Sequence, residues 1–182
     1  MDMTYLQEPP KLNESEILDS VQEYYGLKGT LHALAGDRDQ NFLLESPGGQ
    51  KHVIKISSLD EAQDILEFET EMITRLSRDT NGLIPNIISA TSGSNLIALQ
   101  NEKGDDYWLR ILEFLPGSLL AEINPRPDAL LVNLGERMAE LGSVLGAYPD
   151  HPPPRINFEW ALGQAGNIME TSLSLLESFL LK

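Results

Sequence analysis

The sequence predicts an α+β fold, and three observations carry that expectation. Short apolar runs separated by turn residues extend from Leu27 to Leu115. One long stretch of helical period interrupts them, and only helical period continues from about residue 116 onward. A break near Pro116-Gly117 therefore separates a mostly antiparallel sheet with one helix from an all-helical part. We expect a lead-in and helix over 1–25, the mixed part over 26–115 and helices over 116–182.

Residues 1–12 are polar, contain Pro9-Pro10 and read as extended. Asn13 is a helix N-cap with Glu16 at the capping-box position. Ile17, Leu18, Val21 and Tyr24 or Tyr25 follow at helical spacing, and Gly26 supplies a stop, which predicts a helix over 14–25. Leu31, Ala33 and Ala35 then alternate, Phe42-Leu43-Leu44 runs into Ser46-Pro47-Gly48-Gly49, and His52 to Ile56 follows that turn. This pattern predicts strands near 28–35, 41–46 and 51–57. Ser58, with Glu61 in capping-box position, opens a helix from about 59 to 78 with the stripe Ile65, Leu66, Met72, Ile73 and Leu76. Ile87-Ile88, Leu96 to Leu99 and Tyr107 to Leu115 are further strands, the last a third hairpin partner. Leu130, Leu131, Leu134, Met138, Leu141, Val144 and Leu145 recur every three or four residues, a helix. Pro152-Pro153-Pro154 breaks the chain before a last helix over 158–182.

Composition narrows the function classes. The 182 residues include 28 acidic and 13 basic side chains, a formal net charge of −15, and no cysteine. Disulfides, thiolate zinc sites and cysteine nucleophiles are excluded, and a reducing cytoplasm suits the chain. Nucleic-acid binding needs clustered Lys and Arg, which are absent, and an anionic surface would be repelled by an anionic membrane. No run of eighteen apolar residues offers a bilayer span, and the first ten residues do not read as a secretory signal. No partner in the nucleic-acid or membrane class is expected. His32 and His52 read as core or rim residues, and Trp108 and Trp160 as packing anchors.

Lys55 is the residue that most invites a chemical reading. It interrupts Val53-Ile54-Lys55-Ile56, where alternation places it on one face with Val53. A strand lysine is commonly an edge or solvent-facing residue. Glu69, however, falls in phase with Ile65, Leu66, Ile73 and Leu76, on the stripe that faces the sheet. A carboxylate there is costly unless paired. A strand lysine followed by an inward helix glutamate can fix an ammonium on nucleotide phosphates; the structural alternative is a buried ion pair or a rim glutamate. Upstream, Gly36-Asp37-Arg38-Asp39-Gln40-Asn41-Phe42 joins two strands, with one glycine and two acids that would repel phosphate.

The order of these parts resembles the aminoglycoside phosphotransferase and choline kinase group. The resemblance runs through Gly36 to Leu44, His52-Val53-Ile54-Lys55-Ile56, the helix with Glu69, and Ile84-Pro85-Asn86. Asp39-Gln40-Asn41-Phe42 is most similar to the hydroxylysine kinase branch, which includes phosphotransferase domains fused to class III aminotransferases. Leu109 to Gly117 resembles the family's hinge, Leu134 to Gly142 its first large-lobe helix, and Phe158 to Leu162 its tryptophan-containing segment. The resemblance covers roughly residues 15–170. It implies a kinase-like small lobe followed by the first helices of a large lobe. By it, Lys55 contacts the phosphates of ATP or GTP bound with Mg2+, and Glu69 orients Lys55. Arg38, Gln40 and Asn41 belong to the phosphate loop, while Glu113, Phe114 and Leu115 hold the adenine.

The resemblance also implies a His-Gly-Asp loop, a downstream Asn and an Asp motif that supply the base and the metal ligands. His32, His52 and His151 are followed by Ala33, Val53 and Pro152, so none begins such a loop. The expectation is therefore one lobe and the opening of another. It would be the nucleotide-binding portion of a kinase that phosphorylates a small-molecule hydroxyl, inactive by itself. The other reading is a non-catalytic kinase-like interaction or regulatory module. The leucine-rich face over 130–145 is expected to pack within the domain; left exposed in a truncated chain, it would invite self-association.

Overall fold

A computed structural model describes residues 10–36, 38–57, 61–80, 82–100, 104–149, 152–153, 166, 169–170 and 173. The chain divides into two compact units, Gln7–Pro152 and Met1–Leu6 with Pro153–Lys182. In the second unit Gly166, Met169, Glu170 and Leu173 are helical; the rest of the helix expected over 158–182 lies outside the described residues.

The first unit opens with α1 (Glu14–Tyr25), bounded as its sequence predicts. The backbone N–H of Asn13 donates to the Glu16 carboxylate at 3.1 Å, and Gly26 ends the helix at φ 67°, a left-handed conformation that glycine adopts without a Cβ clash. Strands β1 (Thr30–Leu34), β2 (Gln40–Glu45) and β3 (Lys51–Ser57) form an antiparallel meander. Helix α2 (Gln63–Asp79) follows, then β4 (Ile87–Ile88), β5 (Ile97–Gln100) and β6 (Asp106–Glu113). A single 3₁₀ turn at Leu120–Glu122 precedes α3 (Asp128–Gly146).

The Tyr107 strand is a hairpin partner of β5, as expected, and it is also central: β6 pairs β3 on one side and both β4 and β5 on the other. Eight residues long and nearly continuously buried, it carries the run that a doubly flanked strand needs. One expectation changes: helix α2 begins at Gln63 with Ala62 at the N-cap, not near Ser58. Glu61, expected to close a capping box, instead pairs with Arg38 at 3.2 Å, which ties the segment before the helix to the β1–β2 loop.

The sheet's two faces differ in kind. Phe42, Leu44, Ile54, Ile56, Leu109 and Ile111 are buried on one face and form a single core with Ile17, Val21 and Tyr25 of α1. Each such aliphatic side chain contributes about 1.5–3 kcal/mol of transfer free energy. The lead-in helix is thus part of the sheet's own core. The opposite face carries Asn41, Lys55 and Arg110 and is approached by α2. Tyr148, just beyond α3, packs edge-on against Phe68 of α2 with ring centroids 5.8 Å apart, and the Arg75 guanidinium lies 4.9 Å from its ring. Leu131, Val132, Leu134 and Met138 of α3 are exposed.

Candidate nucleotide-phosphate site

Sheet register assembles a lateral row of polar side chains on the α2 face. Asn41 of β2 stands opposite Lys55 of β3, and Lys55 stands opposite Arg110 of β6. Alternation thereby aligns one amide and two cations across three neighbouring strands. Each cation has a carboxylate. Lys55 Nζ lies 3.1 Å from Asp39 Oδ2, and the two side chains are 31% and 22% exposed. Arg110 Nη2 donates to Glu69 Oε2 at 3.0 Å, with exposures of 5% and 28%. Glu69 therefore does face the sheet, as the phase of its helix requires, and its ion pair is with Arg110. Sequence reasoning passed over Arg110. The signal was present: a charged residue inside Leu109-Arg110-Ile111-Leu112 poses the same question as Lys55 within its own strand.

The β1–β2 loop is braced around this row. Asn41 Nδ2 donates to the carbonyls of Ala35 and Asp39 at 3.3 and 3.4 Å. Gly36 permits that closeness, since a Cβ there would lie 2.3 Å from Asn41 Nδ2 and 2.4 Å from the Asp39 carbonyl oxygen. Arg38 holds the loop to Glu61 from outside. Gln40 has a different task. Its amide accepts from the Leu12 N–H at 3.0 Å and donates to the Leu12 carbonyl at 3.1 Å, clasping the lead-in strand-fashion. Of the loop residues named from sequence, Asn41 shares the Lys55 face, while Gln40 and Arg38 secure the loop's surroundings.

Where β6 leaves the sheet, the Glu113 N–H donates to the Asn86 carbonyl at 2.9 Å. Asn86 Nδ2 donates to Glu113 Oε2 at 2.8 Å, and Asn86 Oδ1 accepts from Ser77 Oγ at 2.6 Å. The Ile84-Pro85-Asn86 segment thus locks the end of β6 to α2. Phe114 lies under the Lys51 ammonium at 5.8 Å, and Leu115 is exposed. His52 stands opposite Glu113. Burial holds its pKa below the usual imidazole value, and the Glu113 carboxylate pulls the other way.

No protein-family model matches the chain. Hydroxylysine kinase of Danio rerio is 27% identical over 188 residues, a match covering 97% of this chain and 50% of that protein. Hydroxylysine kinase of Bos taurus is 29% identical, covering 94% of this chain and 47% of its own length. The chain thus spans about half the length of these curated relatives. Among solved structures, amicoumacin kinase hAmiN in complex with AMP-PNP, Ca2+ and Ami superposes with a TM-score of 0.66 at 18% identity, over 85% of this chain and 47% of that one. The microcompartment-associated aminopropanol kinase gives 0.61 at 17% identity, over 84% and 46%. These likenesses show a kinase-like fold for this chain and a sequence similar to hydroxylysine kinases along about half of their length.

Proposed function

We propose that the chain forms the nucleotide-binding portion of a cytoplasmic small-molecule phosphotransferase, which transfers a phosphoryl group from ATP or GTP to a hydroxyl acceptor. The observation that carries this reading is the Lys55 ammonium on the α2 face, already engaged by an anion, the Asp39 carboxylate at 3.1 Å. A polyphosphate oxygen entering over the β1–β2 loop would take the place of that carboxylate.

Phosphoryl transfer asks a protein mainly for placement and for charge opposite the phosphate oxygens. Lys55 supplies the charge from a strand interior, where its backbone is fixed by β2 and β6. Glu69 and Arg110 stand beside it and set the local field. The loop from Gly36 to Asn41, with Arg38 latched outside and Gln40 anchored on Leu12, lies over the phosphates. Glu113, Phe114 and Leu115 lead the chain out of the sheet and offer backbone groups to the base. Magnesium, when bound, would neutralise phosphate charge. These residues are assigned to the nucleotide.

Replacing Lys55 by Ala in the full-length protein should lower kcat/KM by roughly a hundredfold or more. Undiminished turnover in a folded variant overturns the assignment. The exposed Leu131, Val132, Leu134 and Met138 favour a second reading, a non-catalytic module that self-associates through α3. Activity that survives Lys55→Ala, together with concentration-dependent mass, would favour it.

A further inference from the structure

Between α2 and the β4–β5 turn lies a groove that shares no residue with the row of Asn41, Lys55 and Arg110. Helix α2 lines one wall with Glu67, Thr70 and Glu71, and Leu96 and Trp108 line the other. The space is about 360 Å³, at the lower end of the range of small-molecule sites. Its chemistry is one-sided: two carboxylates and no Lys or Arg border it. Glu67 accepts from Gln63 Nε2 at 2.7 Å, whereas Glu71, one turn on, has no cation among the described residues. Like charges at that spacing on a helix repel. Thr70 is 4% exposed, and its Oγ1 is buried with no hydrogen-bond partner among the described residues. A buried hydroxyl left in that state is costly, and a ligand that reaches it removes the cost. Trp108 is half-buried, and an indole attracts cations to its face.

We propose that this groove is a binding site for a small organic ammonium ion with an apolar stem. The ammonium donates to the Glu71 carboxylate and to Thr70 Oγ1, which gives Thr70 the partner it lacks. Glu67 adds to the negative potential, and the stem lies against Leu96 and the Trp108 ring. An alkylammonium brings three donors on a point charge, which suits two carboxylates and a hydroxyl oxygen. A divalent metal would ask instead for about six oxygen ligands at fixed distances, which a wall of indole and leucine does not supply. The site stands apart from Lys55, so it does not depend on the nucleotide reading.

Calorimetric titration of the full-length protein with n-pentylammonium chloride tests this, with pentanol and sodium valerate as controls for the charge. Pentylammonium should bind saturably, and the neutral and anionic analogues should not. Glu71→Gln, a change at an exposed position that the fold tolerates, should weaken pentylammonium about tenfold or more. Thr70→Val keeps the shape and removes the oxygen. It should weaken pentylammonium about threefold or more without lowering the urea midpoint, since the hydroxyl has no partner to lose. Binding that survives Glu71→Gln and Thr70→Val unchanged belongs to another part of the protein and overturns the inference. Pentanol binding as tightly as pentylammonium overturns it too, as does the absence of saturable pentylammonium binding by the unaltered protein.

Discussion

Neutralising the two carboxylates of the site should have very different consequences for stability. Glu69→Gln leaves Arg110 5% exposed with Nε and Nη1 already lacking acceptors, so no solvent or neighbour takes over the lost charge. At 3.0 Å and an effective dielectric constant of about 20 the pair attracts by about 5 kcal/mol. Part of that is returned by relieving the desolvation of the partly exposed glutamate, and the Gln carbonyl retains a neutral hydrogen bond. A net loss of about 2–3 kcal/mol remains. Asp39→Asn breaks a pair in which both partners keep solvent contact, and should cost no more than about 1 kcal/mol. Urea unfolding of the two variants, compared at equal m, reads the difference directly, and for a chain of this size Glu69→Gln should lower Tm by roughly 4–12 °C. If Asp39→Asn proves the more damaging change, the assignment of the buried charge to the Glu69–Arg110 pair is refuted.

Three further outcomes follow from the same structure. Gly36→Ala drives a Cβ into the Asp39 carbonyl oxygen and Asn41 Nδ2, and should cost about 1–3 kcal/mol through displacement of the loop, seen as a lower urea midpoint; a neutral result would contradict the close packing. Gln40→Ala removes both bonds to Leu12 and should cost about 1–2 kcal/mol while leaving magnesium-ATP affinity unchanged; a selective loss of that affinity would return Gln40 to the phosphates. His52, whose folded pKa lies below its unfolded value, contributes fully above the ordinary imidazole range. As pH falls, the unfolded chain takes up the proton first, so this contribution is lost towards and through the folded pKa. His52→Gln should therefore flatten the decline in urea midpoint between about pH 7.5 and 5.5; parallel declines in both proteins would exclude His52 as its source.

What was legible in the sequence was what short-range physics determines. The bounds of α1 could be read because Asn13, Glu16 and Gly26 act on backbone groups within one turn of themselves. The face of Lys55 followed from a period of two and that of Glu69 from a period of 3.6, and both proved right. The start of α2 was misread for a long-range reason: Glu61 had an arginine from another loop to pair with, and local capping rules do not see that arginine. The tie of Gln40 to Leu12 was not legible for the same reason, since the two lie 28 positions apart in sequence.

The partner of Glu69 is the sharpest instance of that limit. Helical phase decides which way a side chain points, but what it meets depends on strand order, and order is fixed by the whole sheet. β3 on one side and β4 and β5 on the other enclose β6, which buries Arg110 and makes it the direct neighbour of Lys55. Two adjacent cations on one sheet face need two anions. The one on α2 goes to the buried guanidinium, and the one on the β1–β2 loop goes to the lysine, so that neither cation lacks a carboxylate.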